Sequence, residues 1–213
     1  MNEISQNGEM REHTSLRRRA GAFANPKHNV HQMGFREGMY IADLGAGSGA
    51  YTEALAALVG PSGAVYAVDV QRDLLTKIHR NLKSKGYENV HVVWGDMESV
   101  DGVDIRDGLL DAVVIANTLF QVDDKIRVLK EAWRVLKPAG ILALVDWTDS
   151  FGGLGPPQKM VFTQKAATVL CTDHGFAPTR DFDAGEHHYG VLFTKQTQTV
   201  NDFAEKTVAQ EVV

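Results

Sequence analysis

A doubly wound, mostly parallel α/β sheet is predicted by three observations. Short apolar runs with strand character alternate with segments of helical period between residues 40 and 145. A loop containing Gly45, Gly47 and Gly49 joins the first run to its helix. Acids, Asp69 and Asp96, stand where the second and third runs end. Alternation of this kind gives parallel strands with right-handed crossovers. A glycine loop between strand and helix is the geometry of a nucleotide-binding first turn, where the backbone turns tightly and a ligand comes close.

The elements follow in order. Residues 1–24 are polar, lack a clean period and are expected to form an N-terminal arm. Asn25-Pro26 predicts an N-cap followed by proline in the first helical position, with Gly34 stopping that short helix. Strand one is expected over Tyr40 to Leu44 and its helix over Ala50 to Leu58. Gly60-Pro61-Ser62-Gly63 is a turn by composition, and strand two ends at Asp69. Leu74, Leu75, Ile78 and Leu82 mark one face of the next helix, which Gly86 ends. Strand three spans His91 to Trp94 and strand four Ala112 to Ala116. Ile126, Leu129, Ala132, Trp133 and Leu136 are expected as the buried face of the following helix, with strand five at Ile141 to Val145. Phe151 to Pro157 is a glycine-proline loop, placed to act as a lid. Thr163 can cap a last helix that Gly175 ends, and residues 177–183 and 187–194 read as two strands joined at Ala184-Gly185-Glu186. A single domain is therefore expected over 25–195, with a polar tail over 196–213 and no internal repeats.

Composition narrows the function classes. A chain of 213 residues, 44% hydrophobic and 23% charged, is ordinary for a globular domain with a sizeable core. No apolar run is long enough to cross a bilayer. The first twenty residues lack an apolar signal core, and they mix Arg11, Arg17, Arg18 and Arg19 with Glu3, Glu9 and Glu12. A cytoplasmic location is the default expectation. The net charge of −5 disfavours nucleic acid as partner, because phosphate binding calls for a basic surplus and Arg17-Arg18-Arg19 is the only dense basic run. The single cysteine, Cys171, sits among Ala166, Ala167, Val169 and Leu170 and reads as a small core residue. No metal site is predicted.

The glycines fit two cofactor readings. Gly45, Gly47 and Ala50 satisfy the loose dinucleotide pattern G-x-G-x-x-G/A. Gly45, Gly47 and Gly49 also form G-x-G-x-G with Asp43 two residues ahead. A pyrophosphate suits the positive end of a helix dipole, and a carboxylate beside it would repel it. A cofactor with an ammonium and no phosphate is attracted by Asp43 instead.

That second pattern resembles motif I of the class I S-adenosylmethionine (SAM) dependent methyltransferases. Three further segments extend the resemblance in the same order: Ala64 to Asp69, Val92 to Met97, and Asp111 to Asn117. Ala132 to Gly140 is similar to the helix-turn that precedes strand five in that family, with Ala139 where glycine is frequent. The residues around Val145-Asp146-Trp147 and Gly155-Pro156-Pro157 resemble small bacterial-type members near the ubiquinone/menaquinone-biosynthesis type. The resemblance implies a Rossmann-like, seven-stranded sheet with an antiparallel C-terminal edge hairpin. Arsenite methyltransferases share this fold but hold arsenic on several cysteines, which one cysteine does not match.

The resemblance implies a cofactor site at Asp43, Gly45, Ala46, Gly47, Gly49, Asp69, Val70, Asp96, Met97 and Asn117. Asp43 would meet the ammonium, Asp69 the ribose and Asp96 the adenine amino group. The product would be S-adenosylhomocysteine (SAH). Ligands of open parallel sheets bind beyond the C-terminal ends of the strands, which places Asp146, Trp147, His187, His188 and Tyr189 at the same mouth. Asp146 and His188 are the candidate proton acceptors, imidazole because it titrates near neutral pH. Asn117, Phe120, Trp147, His187 and Tyr189 are expected to shape a pocket for a small-molecule acceptor. Two alternatives stand beside this reading: a SAM-binding protein without catalysis, and a nicotinamide-dependent oxidoreductase, for whose second half too few residues remain.

Overall fold

The computed structural model describes residues 24–151 and 155–197. Residues 1–23 of the expected arm over 1–24, the centre of the glycine-proline loop and the tail beyond 197 lie outside the described residues. Seven strands form one sheet: β1 (Tyr40–Leu44), β2 (Ala64–Asp69), β3 (Val90–Trp94), β4 (Leu110–Ala116), β5 (Leu136–Trp147), β6 (Phe176–Phe182) and β7 (His188–Lys195). Their spatial order is β3-β2-β1-β4-β5-β7-β6. All pairings are parallel except those of β7, which runs antiparallel to both β5 and β6. The chain reverses its winding between β1 and β4, the switch point where such sheets bind ligands.

Helices cover both faces. On one lie α1 (Pro26–Gln32), α2 (Ala50–Val59) and α3 (Arg72–Ser84); on the other lie α4 (Lys125–Val135) and α5 (Gln164–Asp173). Alternation along the strands divides the core. Leu142 and Leu144 of β5 pack with Val128, Leu129 and Ala132 of α4, whereas Ala143 and Val145 pack on the α1 and α2 side. Local chemistry sets the helix ends. Asn25 Oδ1 accepts the His28 N–H at 3.2 Å, and Thr163 Oγ1 accepts that of Ala166 at 3.3 Å. Gly86 and Gly175 follow α3 and α5 at φ 84° and 87°, a region that disfavours side chains. Cys171 is fully buried in α5, and burial pushes its thiol up to about 12.

Three expectations are corrected. Strand five starts at Leu136 rather than Ile141, because Leu136 already pairs with Leu110 of β4 before a register shift. Of the predicted helix-turn, residues 132–135 end α4 as expected, and residues 136–140 belong to the strand but carry an irregularity, with Ala139 at φ 59°. The buried face of α4 consists of Val128, Leu129, Ala132 and Val135, with Glu131 beside them. Ile126 is 39% exposed, and Trp133 is only half-buried. Glu131 is buried because it has a partner: its Oε2 accepts from Arg134 at 2.7 Å, and its Oε1 accepts the Asp101 N–H at 3.1 Å. Leu74 is half-buried, since it lines the ligand cleft instead of the core.

Candidate cofactor cleft and acceptor mouth

A cleft of 480 Å³ opens at the C-terminal ends of β1, β2 and β4. That is room for a nucleoside-sized ligand. Its wall includes Asp43, Gly45, Ala46, Gly47, Asp69, Val70, Asp96, Met97 and Asn117, nine of the ten residues expected from the sequence. Gly49 is the exception. It precedes α2 at φ 80°, and a Cβ there would meet Ile78 Cγ1 at 2.8 Å. Its absent side chain serves the contact between α2 and α3. Tyr51, Thr118 and Glu98 also line the cleft, and sequence reasoning missed all three. Tyr51 lay within reach of that reasoning, two residues after the last glycine of the motif.

The charges of the wall discriminate between ligands. Asp43, Asp69, Asp96 and Glu98 contribute to it, and the described lining residues include no lysine or arginine. Four of the loop N–H groups are also committed. Gly45 N and Ala46 N donate to Val68 O at 2.9 Å each, Gly49 N to Ala46 O at 2.8 Å, and Gly47 N to Asp69 Oδ2 at 2.9 Å. A pyrophosphate would meet four acids and a loop with most of its donors engaged, so the electrostatics disfavour the dinucleotide reading.

Each acid is held differently. Asp43 is 2% exposed, and its Oδ2 accepts from Thr52 Oγ1 at 2.6 Å. Burial pushes its carboxyl up to about 6, the Thr52 hydrogen bonds oppose that shift, and the Asp69 charge adds to it. A cation seated beside Asp43 would favour its ionised form. Asp69 Oδ1 accepts the Gln71 N–H at 2.8 Å, so the Gly47 and Gln71 tethers aim the carboxylate and leave lone pairs for further donors. Asp96 spends its oxygens locally, accepting from Glu98 N at 2.9 Å and Ser99 Oγ at 2.8 Å, which makes it first a turn former. Val70, 52% exposed, stands at the rim. Asn117 adopts φ 53°, tolerable for asparagine, and its Oδ1 is buried without a hydrogen-bond partner among the described residues. An orphaned acceptor in a cleft wall suits a ligand that brings N–H groups. These residues fit a zwitterionic nucleoside such as SAM.

Of the expected acceptor residues, Asn117 lines the cleft, whereas Trp147, His187 and His188 lie outside its lining, one and two strands further along. In the β5–β7 register Trp147 lies opposite His188, and Asp146 opposite Tyr189. Alternation puts Trp147 and His188 on the sheet face that carries Asp43, with their rings 4.1 Å apart. His188 Nδ1 lies 2.8 Å from Glu186 O. A carbonyl only accepts, so Nδ1 carries the proton and Nε2 is left as a lone pair. Nε2 is buried and has no partner among the described residues. Desolvation holds the imidazolium form down, so His188 is a neutral base at pH 7. His187, at φ 61°, joins Asp149, with Nδ1 2.7 Å from Oδ1, and stacks on Phe151 at 4.2 Å. Asp149 escaped the sequence reading because only the fold brings it to His187.

Three residues expected at the mouth do something else. Asp146 is 1% exposed and faces the opposite side of the sheet from His188. Its Oδ1 accepts Trp147 N at 2.9 Å and its Oδ2 accepts Phe120 N at 3.1 Å. Burial raises its carboxyl to about 6. This is the geometry of a fastener between β5 and the turn after β4, which replaces the expected proton acceptor. Phe120 contributes its N–H to that bond and does not line the cleft. Tyr189 packs in the core with Phe176 and Cys171, so it shapes no pocket at the mouth. Burial pushes its hydroxyl far up.

Comparison with known proteins gives a consistent result. The family profile described as a methyltransferase domain matches residues 35–174. A demethylmenaquinone methyltransferase from Anoxybacillus flavithermus is 36% identical over 120 residues, 56% of this chain and 49% of the relative. An arsenite methyltransferase from Aquipseudomonas alcaligenes is 36% identical over 115 residues, 52% of this chain and 33% of the relative. The chain thus spans half or less of the length of these curated relatives. Among solved structures, a SAM-dependent methyltransferase from Aquifex aeolicus superimposes with a TM-score of 0.75 at 27% identity, covering 82% of this chain and 92% of the other.

Proposed function

The chain belongs to the methyltransferase-domain family, and from that premise we propose that it transfers a methyl group from SAM to a small organic acceptor. The observation that carries the reading is the acid-walled, cation-free cleft beside the committed glycine loop. Asp43 holds the cofactor's ammonium, Asp69 its ribose, and the Asp96–Met97 segment its adenine end. When bound, the sulfonium supplies an activated methyl group to an in-line nucleophile. The chain's own work is then to position, to exclude water and to move a proton. Trp147 and His188 form a wall against which the acceptor lies. His188 Nε2, a neutral lone pair at neutral pH, takes the acceptor's proton.

The acceptor is organic rather than arsenite. Arsenite is bound by thiolates, and the one thiol of this chain is fully buried and held protonated. The quinone-pathway names of several relatives support an acceptor with an acidified O–H or C–H. The reading is tested by calorimetric titration with SAH, with NADH as control, followed by an acceptor screen with labelled SAM. Micromolar SAH affinity, no NADH binding, and turnover reduced about 100-fold in His188→Gln at unchanged SAH affinity are expected. Folded protein that ignores SAH would overturn it. Tight SAH binding with no turnover on any acceptor class would favour a SAM-binding module instead.

A further inference from the structure

Asn29, fully buried in α1, is tied to two distant points. Its Nδ2 donates to Tyr51 Oη at 2.8 Å and to Ala184 O at 3.1 Å. The second bond settles the first. Ala184 O can only accept, so the amide nitrogen must face it, and an amide turned the other way would set oxygen against oxygen. Tyr51 Oη lies near that same nitrogen and is therefore an acceptor from Asn29. Its own hydroxyl proton is left over, and it meets no acceptor among the described residues. Asn29 Oδ1, also buried and unpartnered, is the cost of holding the amide this way round.

Tyr51 forms part of the cleft wall, near enough to Asp43 for the carboxylate charge to help raise the phenol, which burial chiefly pushes up to about 12. It therefore stays a protonated donor at any physiological pH. The cleft can use such a donor, beside the neutral side chains of Ser48, Gln71, Asn117 and Gln121 in the same wall. A ligand with an amino-acid end brings a carboxylate as well as an ammonium. The wall offers that carboxylate no described lysine or arginine, and the N–H groups of Gly45, Ala46, Gly47 and Gly49 are already engaged.

We propose that Tyr51, oriented by Asn29, donates its hydroxyl proton to the carboxylate of the cofactor's amino-acid end, opposite the ammonium held by Asp43. This assignment rests on the SAM reading above and adds a binding residue to it. Asn29 is the positioning residue: it acts only through Tyr51.

Calorimetry with two ligands tests it: SAH, and decarboxylated SAH, which keeps the ammonium and loses the carboxylate. Native protein is expected to prefer SAH by about tenfold, the scale of one hydrogen bond to a charged group. Tyr51→Phe should weaken SAH about tenfold and leave decarboxylated SAH unchanged, erasing the preference. Asn29→Ala should weaken SAH in the same direction by a smaller factor. Equal affinity of native protein for the two ligands would overturn the assignment without any variant. Equal loss for both ligands in Tyr51→Phe would make Tyr51 a packing residue only. Absence of any SAH binding by folded native protein would instead remove the SAM reading itself.

Discussion

Replacing Gly45 by alanine separates two costs that the structure puts at one atom. Gly45 sits at φ 81°, and a Cβ there would lie 2.6 Å from Thr118 Oγ1 and 2.7 Å from its Cγ2. The left-handed backbone costs an alanine about 1–2 kcal/mol. The overlap adds about 1–3 kcal/mol. Thr118 cannot swing aside cheaply, because it is 4% exposed and its hydroxyl donates to Ala116 O at 3.0 Å. Gly45→Ala should therefore lose about 3 kcal/mol, which for a chain of this size lowers the melting temperature by roughly 9 °C. The two costs are distinguished by a double-mutant cycle with Thr118→Ala, measured by urea unfolding at 25 °C. Removing Oγ1 and Cγ2 should return the overlap cost and leave the backbone cost. The double variant is then more stable than the sum of the singles by about 1–3 kcal/mol. Strict additivity, or a Gly45→Ala protein that melts within about 2 °C of the native one, would refute this account of why the loop carries glycine.

Two further expectations concern charge and backbone. At pH 6 Asp43 is about half protonated, so an ammonium arriving beside it should expel about half a proton. The enthalpy of SAH binding should then vary with the ionisation heat of the buffer at pH 6, lose that dependence at pH 8, and show none in Asp43→Asn; a buffer-independent enthalpy at pH 6 would count against the ammonium site. The same raised carboxyls of Asp43 and Asp146 contribute stability below about pH 4 that is lost as pH rises through about 6, because the native state holds protons that the unfolded chain has released. Unfolding free energy should thus fall across that window less steeply in Asp43→Asn. Ala139→Gly should raise stability by about 0.5–1 kcal/mol, since relief of φ 59° outweighs the extra freedom of glycine in the unfolded chain; a destabilised variant in thermal melts would contradict it.

The glycine loop, Asp69 and the alternating elements were legible because local periodicity and local turn chemistry write them directly into neighbouring residues. The β6–β7 hairpin was legible for the same reason. Strand five starts earlier than its composition suggests because Leu136 pairs with Leu110 of β4, and the turn composition of Lys137-Pro138-Ala139-Gly140 marks the irregularity before Ile141 pairs with Ala112. The roles of Asp146, Tyr189 and Phe120 were misread because nearness to a strand's ligand end does not say which face a side chain takes. Alternation along β5 and β7 turns Asp146 and Tyr189 to the face opposite Asp43, while Trp147 and His188 share the face of Asp43. Asn29, Thr118 and Asp149 were invisible: each acts through a partner brought to it by the fold, and Asn29 meets Ala184 across 155 positions of chain.

The division of the sheet has a consequence for how such a protein can change over generations. Cofactor-cleft residues of the sheet come from β1 to β4 and the turn after it, while the proposed acceptor wall comes from β5 and β7. The β4–β5 ladder joins the halves, and near the ligands it is supplemented by Asn117 N to Val145 O, Phe120 N to Asp146 and Asn29 to Ala184 O. Under the proposed function, substitutions at the start of β7 or in the turn before it would try out new acceptors while the grip on the common methyl donor is inherited intact, so long as the β4–β5 ladder and the bonds beside it survive.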